Sequence, residues 1–182
     1  RGPNVRPEAC GSDLAVTDLV TAGAYAPDHA NVDPSRIYLV GTSGGGYMAW
    51  LMAGPHPDIW AGLSAWASLT DLAAWHWQCQ ASGHRYWKHL EAVCGGPPGA
   101  NNEIDRQYER RSAIHYLENA RGVALDINAG IHDGHVESVP VSHSRAAFNQ
   151  IAYRHERFTD EEIAELVRTA TVPPRLEQTI ND

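Results

Sequence analysis

The chain has 182 residues, 43% of them hydrophobic and 20% charged, with six Trp and seven Tyr, enough for one domain with a real core. A net charge of −8 argues against a nucleic-acid groove or an anionic membrane surface as a partner. No apolar run approaches the roughly 18 residues of a membrane span.

Residues 1–11 read as a loop punctuated by Gly and Pro. The first residue is Arg1 rather than Met, and the native N-terminus is expected upstream. Ser12 can cap a helix carrying Leu14, Val16, Leu19, Val20 and Ala24 at helical spacing to about Ala26. Asp33-Pro34 marks a turn. The run IYLVG (37–41) is short, apolar and partly β-branched, as a buried strand is. A helix is predicted over residues 44–53, stopped by Gly54-Pro55, with Trp50 in the core.

A second strand is predicted within 61–68. Two helices with Gly-rich breaks then follow in a Trp- and His-rich stretch, residues 71–99. Residues 103–122 are polar and helical in part, and 123–130 is a third strand candidate. An amphipathic helix is predicted over 141–155, and another opens with a Thr159/Glu162 capping box. Strands alternating with helical segments argue for a parallel sheet of α/β type. Three strands make a thin sheet, so more are expected on each side of the chain.

Three cysteines are present: Cys10, Cys79 and Cys94. Cys79 and Cys94 flank the Trp-rich stretch and could close a disulfide loop in an exported protein. Reduced, partly buried thiols are the other reading and would suit the cytoplasm, so the compartment stays open.

The stretch GTSGGGYMA raises the chemical question. A serine hydroxyl is a poor nucleophile unless a base takes its proton and donors meet the developing oxyanion. A sharp strand-to-helix turn presents such a serine, and residues two positions either side must then be small. Gly41-Thr42-Ser43-Gly44-Gly45 fits this G-x-S-x-G pattern, a nucleophile elbow. The backbone N–H of Gly44 would point into the oxyanion hole, with the helix N-terminus adding a favourable dipole. A phosphate-cradling loop is the competing reading, but neither G-x-x-x-x-G-K-[ST] nor G-x-G-x-x-G is matched. A triad also needs a carboxylate, on the loop leaving a later strand. Asp133 stands there, three residues past Gly130, whereas Asp126 lies inside the strand.

DPSRIYLVGTSGGGYMA, followed by an apolar strand and TDLAAWH, resembles the prolyl oligopeptidase-like branch of the α/β-hydrolases. So does YERRSAIHYLENARGVALDINAGIHDGHVESVPVSH, which looks like that branch's Y-x-x-x-S-P segment, strand, G-x-x-D and V-P. The resemblance covers most of residues 1–155. It departs at Ala113, where the family has Pro, and in about three extra residues between Asp133 and Val139-Pro140. It implies a single α/β domain over 1–182: a partial α/β-hydrolase three-layer sandwich with a mostly parallel sheet and a lid-like helical insert over 71–99. The implied activity is acyl transfer on a small-molecule ester or peptide substrate, by a carboxylesterase or a peptidase, with no cofactor, no metal and no nucleic-acid partner. Trp66, Trp75, Trp77 and Trp87 could form an apolar wall for an acyl or aromatic group, plain core packing being the alternative.

In such a fold the catalytic histidine follows the acid after one more helix and strand. His155 is the last histidine of the chain, at the end of a predicted helix. The base is therefore expected beyond Asp182, and a second oxyanion donor before Arg1. His135 is a weak local substitute, on the right loop but only two residues from Asp133. His132, Asp133 and His135 make a weak metal cluster. His143 reads as surface at a helix start, and His76, His84 and His89 as lining or solvating the insert. The alternative to an enzyme is a non-catalytic binding or structural relative that keeps the fold without a working base. Oligomeric state is not legible.

Overall fold

The structure, a computed structural model, describes residues 5–177. Helix α1 (Asp13–His29) starts where expected, with Ser12 Oγ accepting from the Ala15 N–H. It runs to His29, because Pro27 sits in its last turn, where one lost backbone bond matters little.

Three strands follow, β1 (Tyr38–Thr42), β2 (Gly62–Trp66) and β3 (Leu125–Asn128). They form one all-parallel sheet in the order β1-β2-β3, with Thr42 opposite Trp66 and Trp66 opposite Asn128. Their C-terminal ends are therefore level, and the chain leaves all three at one edge.

Helix α2 (Gly44–Ala53) joins β1 to β2 and packs on both. It is apolar all round, and Tyr47 and Ala49 through Ala53 are buried, Trp50 among them. The opposite face of the sheet differs. Tyr38, Val40 and Trp66 stand exposed there, beside a chain of bonds from Trp66 Nε1 to Ser64 Oγ to Asp126 Oδ2. The sandwich is thus partial among the described residues, as expected of a thin parallel sheet.

The 71–99 stretch forms two helices, α3 (Leu72–Ala81) and α4 (Tyr86–Cys94), packed on each other. Asp71 caps α3 through the Ala74 N–H, and Gly95 ends α4 in the left-handed conformation. Helix α5 (Asn102–Arg111) packs on both. Two short 3-10 turns then lead into β3. Helices α6 (Ser142–Ile151) and α7 (Asp160–Thr169) follow, α7 with the expected capping box, and a short helix α8 (Pro174–Glu177) ends the described residues.

Cys79 and Cys94 do not pair. Both are buried thiols, and burial pushes each up to about 11. The disulfide argument for export therefore finds no support in the fold.

Candidate active site

Ser43 falls between the last residue of β1 and the first of α2, at φ 54° and ψ −119°. Those angles lie outside every region that a residue with a Cβ readily adopts, at a cost of about 1–3 kcal/mol. The surroundings hold it there. Its N–H donates to Trp66 O at 2.8 Å, tying the turn to β2, and its carbonyl accepts from the Tyr47 N–H to open the helix.

The three glycines after Ser43 turn out to be unequal. A Cβ on Gly41 would collide with the Gly45 carbonyl and lie 2.6 Å from Gly46 N. A Cβ on Gly46 would stand 2.6 Å from Ser68 Cβ. At Gly44 and Gly45 a Cβ would meet nothing within 4 Å. The tight spacing thus demands glycine at 41, as the motif predicts. The second demand falls on Gly46, one residue later than the motif, because Ser68 is wedged against the helix. Ser68 is fully buried and its Oγ accepts from Trp50 Nε1 at 2.8 Å.

Ser43 itself is exposed and opens on a cavity of about 370 Å³. Gly44, Gly45 and Met48 form the floor with it, and Leu69 comes from the loop after β2. Leu72 and Trp75 of α3 and Tyr86, His89 and Leu90 of α4 form a wall. Cys10 reaches in from the N-terminal loop. That loop is clamped by Arg111, whose guanidinium donates to the carbonyls of Pro7, Ala9 and Cys10. Among the described residues no Asp, Glu, Lys or Arg lines the cavity. Of the four Trp residues considered for the wall, Trp75 lines it, Trp66 and Trp77 are about half exposed, and Trp87 packs against the core. The first N–H groups of α2 lack helical acceptors, and Gly44 carries one of them beside Ser43.

Asp133 lies five residues past β3, two strands from Ser43 along the same edge. Strand spacing puts the two chain exits roughly 10 Å apart across the sheet. The loop folds back on Asp133. Its Oδ2 accepts from the Gly130 N–H at 2.9 Å, its N–H donates to Gly130 O, and its carbonyl accepts from the Val141 N–H. Trp75 Nε1 donates to Ser138 O at 2.8 Å, fastening the loop to α3.

The prolyl oligopeptidase family matches residues 12–161 of the chain. The chain belongs to that family. Over 51 residues it is 37% identical to an acetylxylan esterase of Coprinopsis cinerea, a match covering 28% of this chain and 14% of that protein. Its fold matches a puromycin-hydrolyzing peptidase of Mycobacterium tuberculosis with a TM-score of 0.65 at 20% identity, over 91% of this chain and 25% of that one. The chain thus spans a quarter or less of each of these relatives. The likeness bears out the α/β-hydrolase fold expected of a prolyl oligopeptidase relative.

Among the described residues no histidine bonds the Asp133 carboxylate. His135 is exposed, and its N–H donates to His132 O within the turn. Also among the described residues, no group of three His, Cys, Asp or Glu is placed to hold a metal ion. Two of the remaining histidines, His76 and His143, part company with the sequence reading, whereas His89 keeps to it. His76 is fully buried rather than solvating a lid, with Nε2 3.0 Å from Glu91 Oε1. His89 lines the cavity beside Tyr86. His143 is not at the surface, being only 3% exposed. A polar residue on the first turn of a helix ordinarily faces water. Here the turn lies against the loop after β2, which the sequence pattern does not reveal. Nor did any sequence signal point to Cys10 or to the Arg111 clamp.

Proposed function

We propose that this chain carries the nucleophile and the acid of a serine hydrolase working by acyl transfer on an ester or peptide bond. The carrying observation is the strained Ser43 at a strand-to-helix turn, exposed to a cavity at a helix N-terminus. Backbone strain of that kind persists only where the surroundings over-determine it, and it concentrates at functional sites.

In this reading Ser43 Oγ attacks the substrate carbonyl carbon while a histidine takes its proton. The C=O electron pair moves onto oxygen, where the Gly44 N–H meets it, a contact of the kind worth about 3 kcal/mol. Collapse re-forms the carbonyl and expels the alcohol or amine, which takes the proton from the imidazolium. Water then repeats the steps on the acyl-enzyme, returning Ser43 and releasing the carboxylic acid. Asp133 orients the histidine and steadies its charge. In this reading the histidine follows Asp133 in chain order and a second oxyanion donor precedes Ser43. The uncharged cavity wall of Leu69, Leu72, Trp75, Tyr86 and Leu90 suits an apolar, uncharged group beside the scissile bond.

A fluorophosphonate probe tests the reading on the intact protein. Covalent label at Ser43, lost in Ser43→Ala, is expected. No label would leave a non-catalytic relative as the better account. With label in hand, p-nitrophenyl acetate against a dipeptidyl anilide separates esterase from peptidase. Residues 1–182 alone are expected to turn over neither, and robust turnover would put the base inside this chain.

A further inference from the structure

His143 stands on the first turn of α6, the helix into which the Asp133 loop runs, and it is buried. A buried imidazole needs partners at both nitrogens. Nδ1 accepts from the Thr70 N–H at 3.2 Å. A backbone N–H can only donate, so the ring proton sits on Nε2, which donates to Gln78 Oε1 at 2.8 Å. Thr70 Oγ1 donates to the His143 carbonyl at 3.3 Å. The ring is thus neutral, in one tautomer, with every polar atom used. Burial favours that state and lowers its pKa from 6.5 to about 4, against a smaller opposite pull from the Asp71 carboxylate.

Those partners belong to both halves of the site. Thr70 follows Leu69, which lines the cavity, and lies two residues from Ser68, which is wedged against Gly46 of the elbow helix. Gln78 is one turn along α3 from Trp75, which holds Ser138 of the Asp133 loop. Val141, two residues before His143, donates its N–H to the Asp133 carbonyl. A closed circuit results: Asp133, Val141, His143, Gln78, Trp75, Ser138.

We propose that His143 is a positioning residue for Asp133: it ties the exit of the Asp133 loop to Thr70 and Gln78, and so sets where the carboxylate stands relative to Ser43. This rests on the reading of Asp133 as the triad acid. His143 touches no reacting atom, and its effect on turnover passes through Asp133.

A double-mutant cycle on ester hydrolysis by the intact protein tests it. His143→Phe removes both bonds. His143→Asn keeps an acceptor where Nδ1 stands. Gln78→Met removes the Nε2 partner from the other side. Each is made with Asp133 intact and with Asp133→Asn. His143→Phe is expected to lower kcat about 10- to 100-fold with KM changed less than about threefold, the scale of a misplaced group. His143→Asn should restore part of that loss, and Gln78→Met should share it. In the Asp133→Asn background all three should add almost nothing. Equal kcat losses in both backgrounds, or a lowered Tm with kcat untouched, would overturn the proposal while leaving the hydrolase reading intact. An Asp133→Asn variant with full activity would overturn both. If His143→Phe does not fold, the other two variants decide by the same criterion.

Discussion

Ser43 and Asp133 leave one sheet edge two strands apart, and the chain holds them by different means. Ser43 is held by exclusion: Gly41 and Gly46 leave no room for a Cβ, and Ser68 and Trp50 fill the space behind. Asp133 sits on a mostly exposed loop with few buried side chains, held by hydrogen bonds to Gly130, Val141 and, through Ser138, to Trp75. Steric exclusion is short-ranged and written into adjacent residues. A hydrogen-bonded loop depends on partners far away in the chain. Ser43 is thus held rigid by its own neighbours, whereas Asp133 is only as well placed as its distant supports.

The comparison breaks most visibly at Ser43. Ser43→Ala should remove turnover and probe labelling, a loss of at least about 10,000-fold. Ser43→Gly should lose as much activity while raising stability by about 1 kcal/mol, because glycine adopts the positive φ without strain. Denaturant melts beside the assay check both. A Ser43→Gly variant no more stable than the parent would mean that the elbow stores no strain.

The glycines sharpen it next. Gly41→Ala forces a methyl into the Gly45 carbonyl and should cost roughly 3 kcal/mol with loss of labelling. Gly45→Ala, where a Cβ meets nothing, should be neutral or gain about 0.5–1 kcal/mol from helix propensity. Similar melts for the two would show that exclusion does not hold the elbow.

The same contrast decides what could be read beforehand. The β1–turn–α2 unit is a local pattern, so strand, serine, glycine and helix were all visible in the residues around Ser43. The exception is Gly46, whose neighbour Ser68 lies 22 positions away. The alternation of strands and helices showed the parallel sheet, and the capping residues Ser12 and Thr159 marked their helices because caps act within one turn. Asp133 could be picked out by its place after β3, but not its supports. His143 looks like surface until α6 is set against Thr70 and Gln78, and Arg111 looks like one of many solvated charges until Pro7, Ala9 and Cys10 close around it. The Cys79–Cys94 pairing failed for a related reason: spacing says which thiols could meet, while the packing of α3 on α4 decides whether they do.

Acid reaches the second region before the first. In the unfolded chain His143 takes a proton near pH 6.5, and in the fold only near 4. Between these values the unfolded state binds the extra proton, so stability falls as the pH drops from about 6.5 to about 4, by about 3 kcal/mol in all, and levels below that. His143→Asn should flatten this part of the stability–pH curve, with the parent as reference for the other titrating groups. Parallel curves would mean that the ring titrates normally in the fold.

The smallest test compares two indole N–H groups directly. Trp50 Nε1 donates to Ser68 Oγ inside the core, and Trp75 Nε1 donates to Ser138 O at the edge of the Asp133 loop, both at 2.8 Å. Phenylalanine removes the donor from each while keeping most of the apolar contact. At Trp50 the stranded hydroxyl is fully buried, out of reach of bulk solvent, so Trp50→Phe should cost about 2 kcal/mol. At Trp75 the partner Ser138 is only partly buried, so its carbonyl can turn to solvent and Trp75→Phe should cost about 1 kcal/mol or less. Activity should run the other way. Trp50→Phe leaves the elbow's steric frame in place and should keep kcat within a few-fold once folded, whereas Trp75→Phe frees the Asp133 loop and should lower kcat by more than its stability loss suggests. If kcat followed stability in both variants, support of the Asp133 loop would not be a separate function of α3.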